Sequence, residues 1–118
     1  MTSSAVGSMV VQSGDRAWRP SRTPGVSVKV LRSDEATGES TALIKFEAGT
    51  RFPAHDHPGG EEIFVLEGDL SVGPDRLRAG DYLFTPPHGK HAATSDGGCV
   101  FLVTLPRPVV IIERGGGT

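Results

Sequence analysis

Glycine and proline break this chain too often for long helices to form. The 118 residues include 16 glycines and 9 prolines, and each in a helix interior costs about 1–3 kcal/mol. The segments between the breaks are short and strand-like. Val26-Ser27-Val28-Lys29-Val30 alternates apolar and polar residues, as a half-buried strand does. Thr41 to Glu47 predicts a second strand, and Ile63 to Glu67 a third, its continuous apolar run implying burial on both faces. Gly68-Asp69 predicts a tight hairpin into Leu70-Ser71-Val72. Arg76 to Arg78, Tyr82 to Phe84, Val100 to Leu105 and Val109 to Glu113 complete the series. About eight to ten short strands with turn signals roughly every 8–12 residues predict a β-sandwich or barrel. No stretch carries a helical period, and no internal repeat is present.

A chain this long builds one core. We expect a domain over residues 18–114, a flexible arm or edge strand over 1–17, and a disordered tail over 115–118. Trp18 reads as a packing anchor where the arm docks, and Tyr82 and Phe84 as core residues.

The net charge of -2 and pI of about 6.0 argue against a nucleic-acid partner. The one basic cluster, Arg16, Arg19 and Arg22, reads as a solvated leader. The single cysteine, Cys99, excludes an intrachain disulfide and reads as a small buried hydrophobe. The first residues lack a charged and then apolar leader, and no stretch approaches the roughly 20 apolar residues that span a bilayer. The expectation is a cytosolic protein with no membrane partner.

Residues 55–62, His-Asp-His-Pro-Gly-Gly-Glu-Glu, carry the chemistry. On a strand, residues i and i+2 share a face, so His55 and His57 would project side by side. Pro53 and Pro58 favour that extended form over a helix. The Gly59-Gly60 turn can then bring a carboxylate back beside the imidazoles, a mixed N/O set suited to borderline divalent metals. The same letters also describe a histidine pair on a surface beside a solvated Glu-Glu step. Downstream, Thr-Pro-Pro-His-Gly-Lys-His ends in His91, which could return to the pair across a barrel.

The spacing of these residues resembles the first motif of the cupin superfamily. Five residues separate Gly49 from His55, three separate His57 from Glu61, and six separate Glu61 from Gly68. The second motif is similar at Gly-Asp-Tyr-Leu-Phe-Thr-Pro-Pro-His-Gly-Lys-His, where Gly80, Pro86 and His91 keep the order. The likeness runs from about Trp18 to Leu105 and is greatest to the ChrR-like cupins, which include the cupin domain of a bacterial anti-sigma factor and relatives of acetylacetone dioxygenase.

The resemblance implies an all-β single-domain cupin: a double-stranded β-helix, or jelly-roll-like barrel. It also implies four metal ligands, His55, His57, Glu61 and His91, around a divalent ion such as Fe, Zn, Mn or Ni. Glu61 rather than Glu62 keeps six residues before Gly68 and shares strand parity with Ile63 and Val65. Glu62 reads as a supporting or surface group. His88 departs from the pattern, which usually has glycine there, and reads as a solvated loop histidine rather than an extra base in the pocket.

Two functions follow from the resemblance. One is a small metal-dependent dioxygenase acting on a diketone or aromatic compound, with Glu61 doubling as a catalytic base. The other is a non-catalytic sensor or binding module for a metal or small molecule. An anti-sigma factor of that kind carries a separate sigma-binding domain, and only about twenty residues precede the likeness here. Open sheet edges and family habit add the expectation of a homodimer.

Overall fold

The structure, a computed structural model, describes residues 2–3 and 7–112. Twelve strands occur among them: β1 (Thr2–Ser3), β2 (Met9–Val10), β3 (Arg19–Pro20), β4 (Val26–Ser33), β5 (Ser40–Phe46), β6 (Thr50–His57), β7 (Glu61–Val72), β8 (Asp75–Arg78), β9 (Tyr82–Thr85), β10 (Gly89–Ser95), β11 (Cys99–Leu105) and β12 (Val110–Ile111). Apart from a 3-10 turn at Ser13–Asp15 there is no helix among the described residues, and none is long and apolar enough to cross a membrane. The expected tail at 115–118, and Glu113 of the last predicted strand, lie outside the described residues.

β7 organises the fold. Its first half pairs with β9 and β11 in a sheet that continues through β5 and β4 to β3. Its second half pairs with β8 and β10, and that sheet continues through β6 to β12. The two sheets curl into the double-sheet barrel that the resemblance implied. Between them lie Val26, Phe46, Val65, Leu70, Val72 and Phe101, all buried.

The hairpin expected at Gly68-Asp69 does not form. β7 runs on through both residues for twelve positions. Gly68 adopts φ +79°, and a Cβ there would run into the Gly98 carbonyl oxygen and lie 2.8 Å from Cys99 Cα. Its freedom serves a bend that passes the strand between sheets, not a reversal.

The double burial expected of Ile63 to Glu67 is also corrected. Ile63 and Val65 are buried, whereas Phe64 and Leu66 are 41% and 44% exposed. Tyr82 and Phe84, expected in the core, are 56% and 60% exposed. β9 pairs with β7 so that Tyr82 lies opposite Phe64 and Phe84 opposite Glu62, all on the outer face. An apolar run cannot say whether its second face has a cover, and none of the described strands supplies one here.

The first residues contain β1 and β2, which pair only with each other, in a ribbon separate from the barrel. Trp18 is half-buried, with Lys29 Nζ and Lys45 Nζ 4.8 and 5.1 Å from its ring centroid.

Candidate metal centre

β6 and β10 form an antiparallel ladder in which His91 faces His55 directly and Gly89 faces His57. His55 and His57 lie two apart on β6 and turn inward together. After His57 the chain reverses through Pro58-Gly59-Gly60. Gly60, at φ +83°, leaves no room for a Cβ, which would lie 2.7 Å from the Thr85 carbonyl oxygen. The His57 carbonyl accepts from the amides of Gly60 (2.9 Å) and His88 (2.6 Å), holding the turn. Glu61 therefore starts β7 pointing back at the imidazoles.

One ligand atom from each of His55, His57, Glu61 and His91 lies within 4.8 Å of all the others. The ring centroids of His57 are 4.4 Å from those of both His55 and His91. Glu61 Oε1 sits 3.2 Å from His57 Nε2 and 3.4 Å from His91 Nε2. His55, His57 and Glu61 are buried, and His91 nearly so.

Backbone carbonyls set two tautomers. His55 Nδ1 donates to the Pro53 carbonyl at 2.8 Å, and His57 Nδ1 to the Gly89 carbonyl at 2.7 Å. A carbonyl can only accept, so each Nδ1 carries a proton, and each ring in its neutral form presents the Nε2 lone pair inward. This is the arrangement by which protein ligands are oriented toward metals. His57 Nε2 and Glu61 Oε1 are buried and make no hydrogen bond to any described residue. Such orphaned atoms normally have a partner, and a divalent cation satisfies all of them at once. The residues present fit a metal ion.

The electrostatics favour a neutral His55 and an anionic Glu61. Burial drives the His55 pKa down to about 4, so its ring is a neutral donor at physiological pH. Burial also opposes charge on His57, but the Glu61 carboxylate and the Gly89 carbonyl outweigh it and the pKa is raised. Burial alone would raise the Glu61 pKa, yet the imidazoles of His57 and His91 bring it down to about 2, leaving an anionic ligand.

The cluster forms one wall of an apolar cavity of about 270 Å³. Val28, Ile44, Phe52, Phe101 and Leu105 line it with His55, Glu61 and His91. Phe52 packs edge-on against the His55 ring, centroids 4.8 Å apart. No motif in the sequence marks these wall residues. Only their inward parity on β4, β5, β6 and β11 could have found them.

The other candidates lie outside. His88 is 69% exposed, with Nδ1 3.4 Å from Asp56 Oδ2, so it is a solvated loop residue as expected. Its φ of +67° explains why glycine suits that position. Glu62 is exposed and accepts a 2.6 Å hydrogen bond from the Tyr82 hydroxyl. Cys99 is buried, and burial pushes its thiol pKa up.

A double-sheet β-barrel with three inward imidazoles and a carboxylate on neighbouring strands defines a cupin. The chain belongs to the ChrR Cupin-like domain family, whose profile matches residues 6–107. It is 34% identical over 87 residues to the DNA damage-repair/toleration protein DRT102 of Arabidopsis thaliana, a match covering 69% of this chain and 27% of that protein. It is 29% identical over 65 residues to the acetylacetone-cleaving enzyme of Acinetobacter johnsonii, covering 55% of this chain and 42% of the enzyme. The match thus spans less than half of either curated relative. Among solved structures, a candidate acetylacetone dioxygenase from Methylibium petroleiphilum superposes with a TM-score of 0.84 at 25% identity, covering 100% of this chain and 89% of that one.

Proposed function

We propose that this protein is a small metal-dependent oxygenase that cleaves a compact, uncharged diketone or aromatic compound. The observation that supports it most directly is the convergence of three histidines and Glu61 on the wall of a cavity that is otherwise apolar. His55, His57, Glu61 and His91 would hold a divalent ion, with Fe, Mn, Zn and Ni all compatible with the donor set. A redox-active ion supplies dioxygen chemistry there, whereas zinc or nickel supplies Lewis-acid catalysis. The relatedness to an acetylacetone-cleaving enzyme favours the first.

The chain's own residues would act through shape and charge. The walls of Val28, Ile44, Phe101 and Leu105 exclude water and select an apolar body. No lysine or arginine lines the cavity to neutralise an anionic substrate. Glu61 is ionised at neutral pH, and its carboxylate lines the cavity beside His55 and His91, where it could accept an enolisable proton from a bound compound. Its low pKa makes it a stronger ligand than base, so ligation is its first role.

Elemental analysis of protein purified without chelators, followed by dioxygen uptake by the iron-loaded form with β-diketones and phenols, tests this. We expect near-stoichiometric metal, uptake with at least one class, and loss of both in His57→Ala. A fully iron-loaded protein that consumes no dioxygen across the panel would sink the enzymatic reading.

That outcome would leave the second reading, a binding or sensor module. It is favoured by the family's description and by matches to parts of longer proteins. Ligand-induced stabilisation without turnover is its signature.

A further inference from the structure

Around Trp18 the outer face of the barrel carries cations that the metal centre does not use. Lys29 on β4 and Lys45 on β5 face an outer groove, whereas Val28 and Ile44 beside them line the inner cavity. Both ammonium groups stand over the Trp18 ring, 4.8 and 5.1 Å from its centroid. Lys29 is only 9% exposed, and its Nζ donates to the Ser13 carbonyl at 2.8 Å. No described carboxylate lies within ion-pairing distance of either lysine. A carbonyl and an indole face offer partial negative charge, and neither neutralises an ammonium. A buried charge normally has a counter-charge.

The two lysines form one end of an open groove of about 600 Å³. Trp18, Leu43, Leu66 and Val100 give it an apolar floor. Glu67 stands at the far end. Val100 on β11 pairs with Lys45 on β5 and with Glu67 on β7, so Glu67 is two strand spacings, roughly 10 Å, from Lys45. The groove is therefore cationic at one end, apolar along its length and acidic at the other. Beyond Lys29, Arg16 and Arg19 outnumber Asp15 along an adjoining groove and add to the positive potential at the lysine end.

We propose that this groove binds a small monocarboxylate with an apolar body, aliphatic or aromatic. The ligand's carboxylate accepts charge-assisted hydrogen bonds from Lys29 and Lys45 and supplies the counter-charge that both lack. Its body lies along Leu43, Val100 and Leu66, beside the indole of Trp18. Glu67 repels a second negative charge at the far end, so the groove selects one carboxylate rather than two. The site lies outside the metal centre and does not depend on the oxygenase reading.

The chain has one tryptophan, and it lines the groove, so its fluorescence reports binding there directly. Titrating the full chain with octanoate and with benzoate should change that emission saturably below about 10 mM, and the tighter of the two tells an aliphatic ligand from an aromatic one. Octanol and inorganic phosphate should give no saturable change. Suberate, with a carboxylate at each end, should bind more weakly than octanoate, and Glu67→Gln should narrow that gap. Lys45→Met should weaken binding about fivefold and Lys29→Met about tenfold. Lys45 is exposed, so its variant decides the matter if Lys29→Met does not fold. Binding should be equal before and after chelator treatment and dialysis, which separates the groove from a carboxylate held by a metal. No saturable change with either acid overturns the proposal. So does octanol, phosphate or suberate binding as tightly as octanoate, binding untouched by Lys45→Met, or binding lost with the metal.

Discussion

His91 stands directly across the β6–β10 ladder from His55, their rings 5.0 Å apart and nearly perpendicular at 87°. Residues far apart in the sequence thus share one inward row. Immediately after His91 the ladder slips, with a register shift between His91 and Ala93. A bulge here re-aims the strand beside the candidate centre.

The pairing predicts a shared loss. Replacing either ring by alanine removes one donor from a four-donor set, and each variant should bind metal at least about tenfold more weakly. Metal retained after dialysis, measured by elemental analysis, should drop comparably for His55→Ala and His91→Ala. Full retention by either variant would exclude that residue as a ligand.

Stability of the metal-free protein should fall with pH between 6.5 and 4. The unfolded His55 takes up a proton near 6.5 and the folded one only near 4. The unfolded state therefore binds more protons within that window, so the contribution is complete above 6.5 and lost as pH falls. After discounting for solvent access, the loss is on the order of 1–2 kcal/mol. His57, whose pKa is raised, acts in a separate window: its contribution is present below 6.5 and lost above it. Glu61 extends the acid loss between 4.5 and about 2. Urea midpoints of chelator-treated protein should drop from pH 7 to 4.5 and flatten in His55→Gln. Equal midpoints would contradict the assignment.

Glu61 should govern the charge on His57. Glu61→Gln removes the carboxylate that outweighs burial, so the His57 pKa should move down. Proton NMR titration of the metal-free protein reads this directly. An unmoved or raised value would show that the Gly89 carbonyl alone sets it.

Three backbone positions of positive φ make different predictions. His88 adopts φ +67° without the freedom of glycine, so His88→Gly should stabilise the fold by about 0.5–1 kcal/mol and leave metal content unchanged. Gly68→Ala should destabilise by about 3 kcal/mol or more, because the new Cβ meets the Gly98 carbonyl and the φ is +79°. Gly80→Ala, at φ +93° in open space, should cost only about 1 kcal/mol. Denaturant unfolding separates the three, and equal costs at Gly68 and Gly80 would refute the crowding argument.

Turn chemistry and two-residue parity are local, and they were legible. Pro53 and Pro58 marked an extended segment, parity set His55 beside His57, and repeated glycines implied an all-β chain, whereas the choice of Glu61 over Glu62 rested on the spacing to Gly68 that the resemblance supplies. His91 was a candidate from its Pro-rich turn, the resemblance made it the fourth implied ligand, and the β6–β10 ladder brings it opposite His55. Burial is not local. Whether Phe64, Tyr82 and Phe84 enter a core depends on what packs over their strand, and nothing in their spacing carries that information. Gly68 shows the same limit: a positive φ serves a hairpin or a bend equally well, and the Gly98–Cys99 backbone from a distant strand selects the bend. The cavity walls needed four strands brought together before any of them could be named.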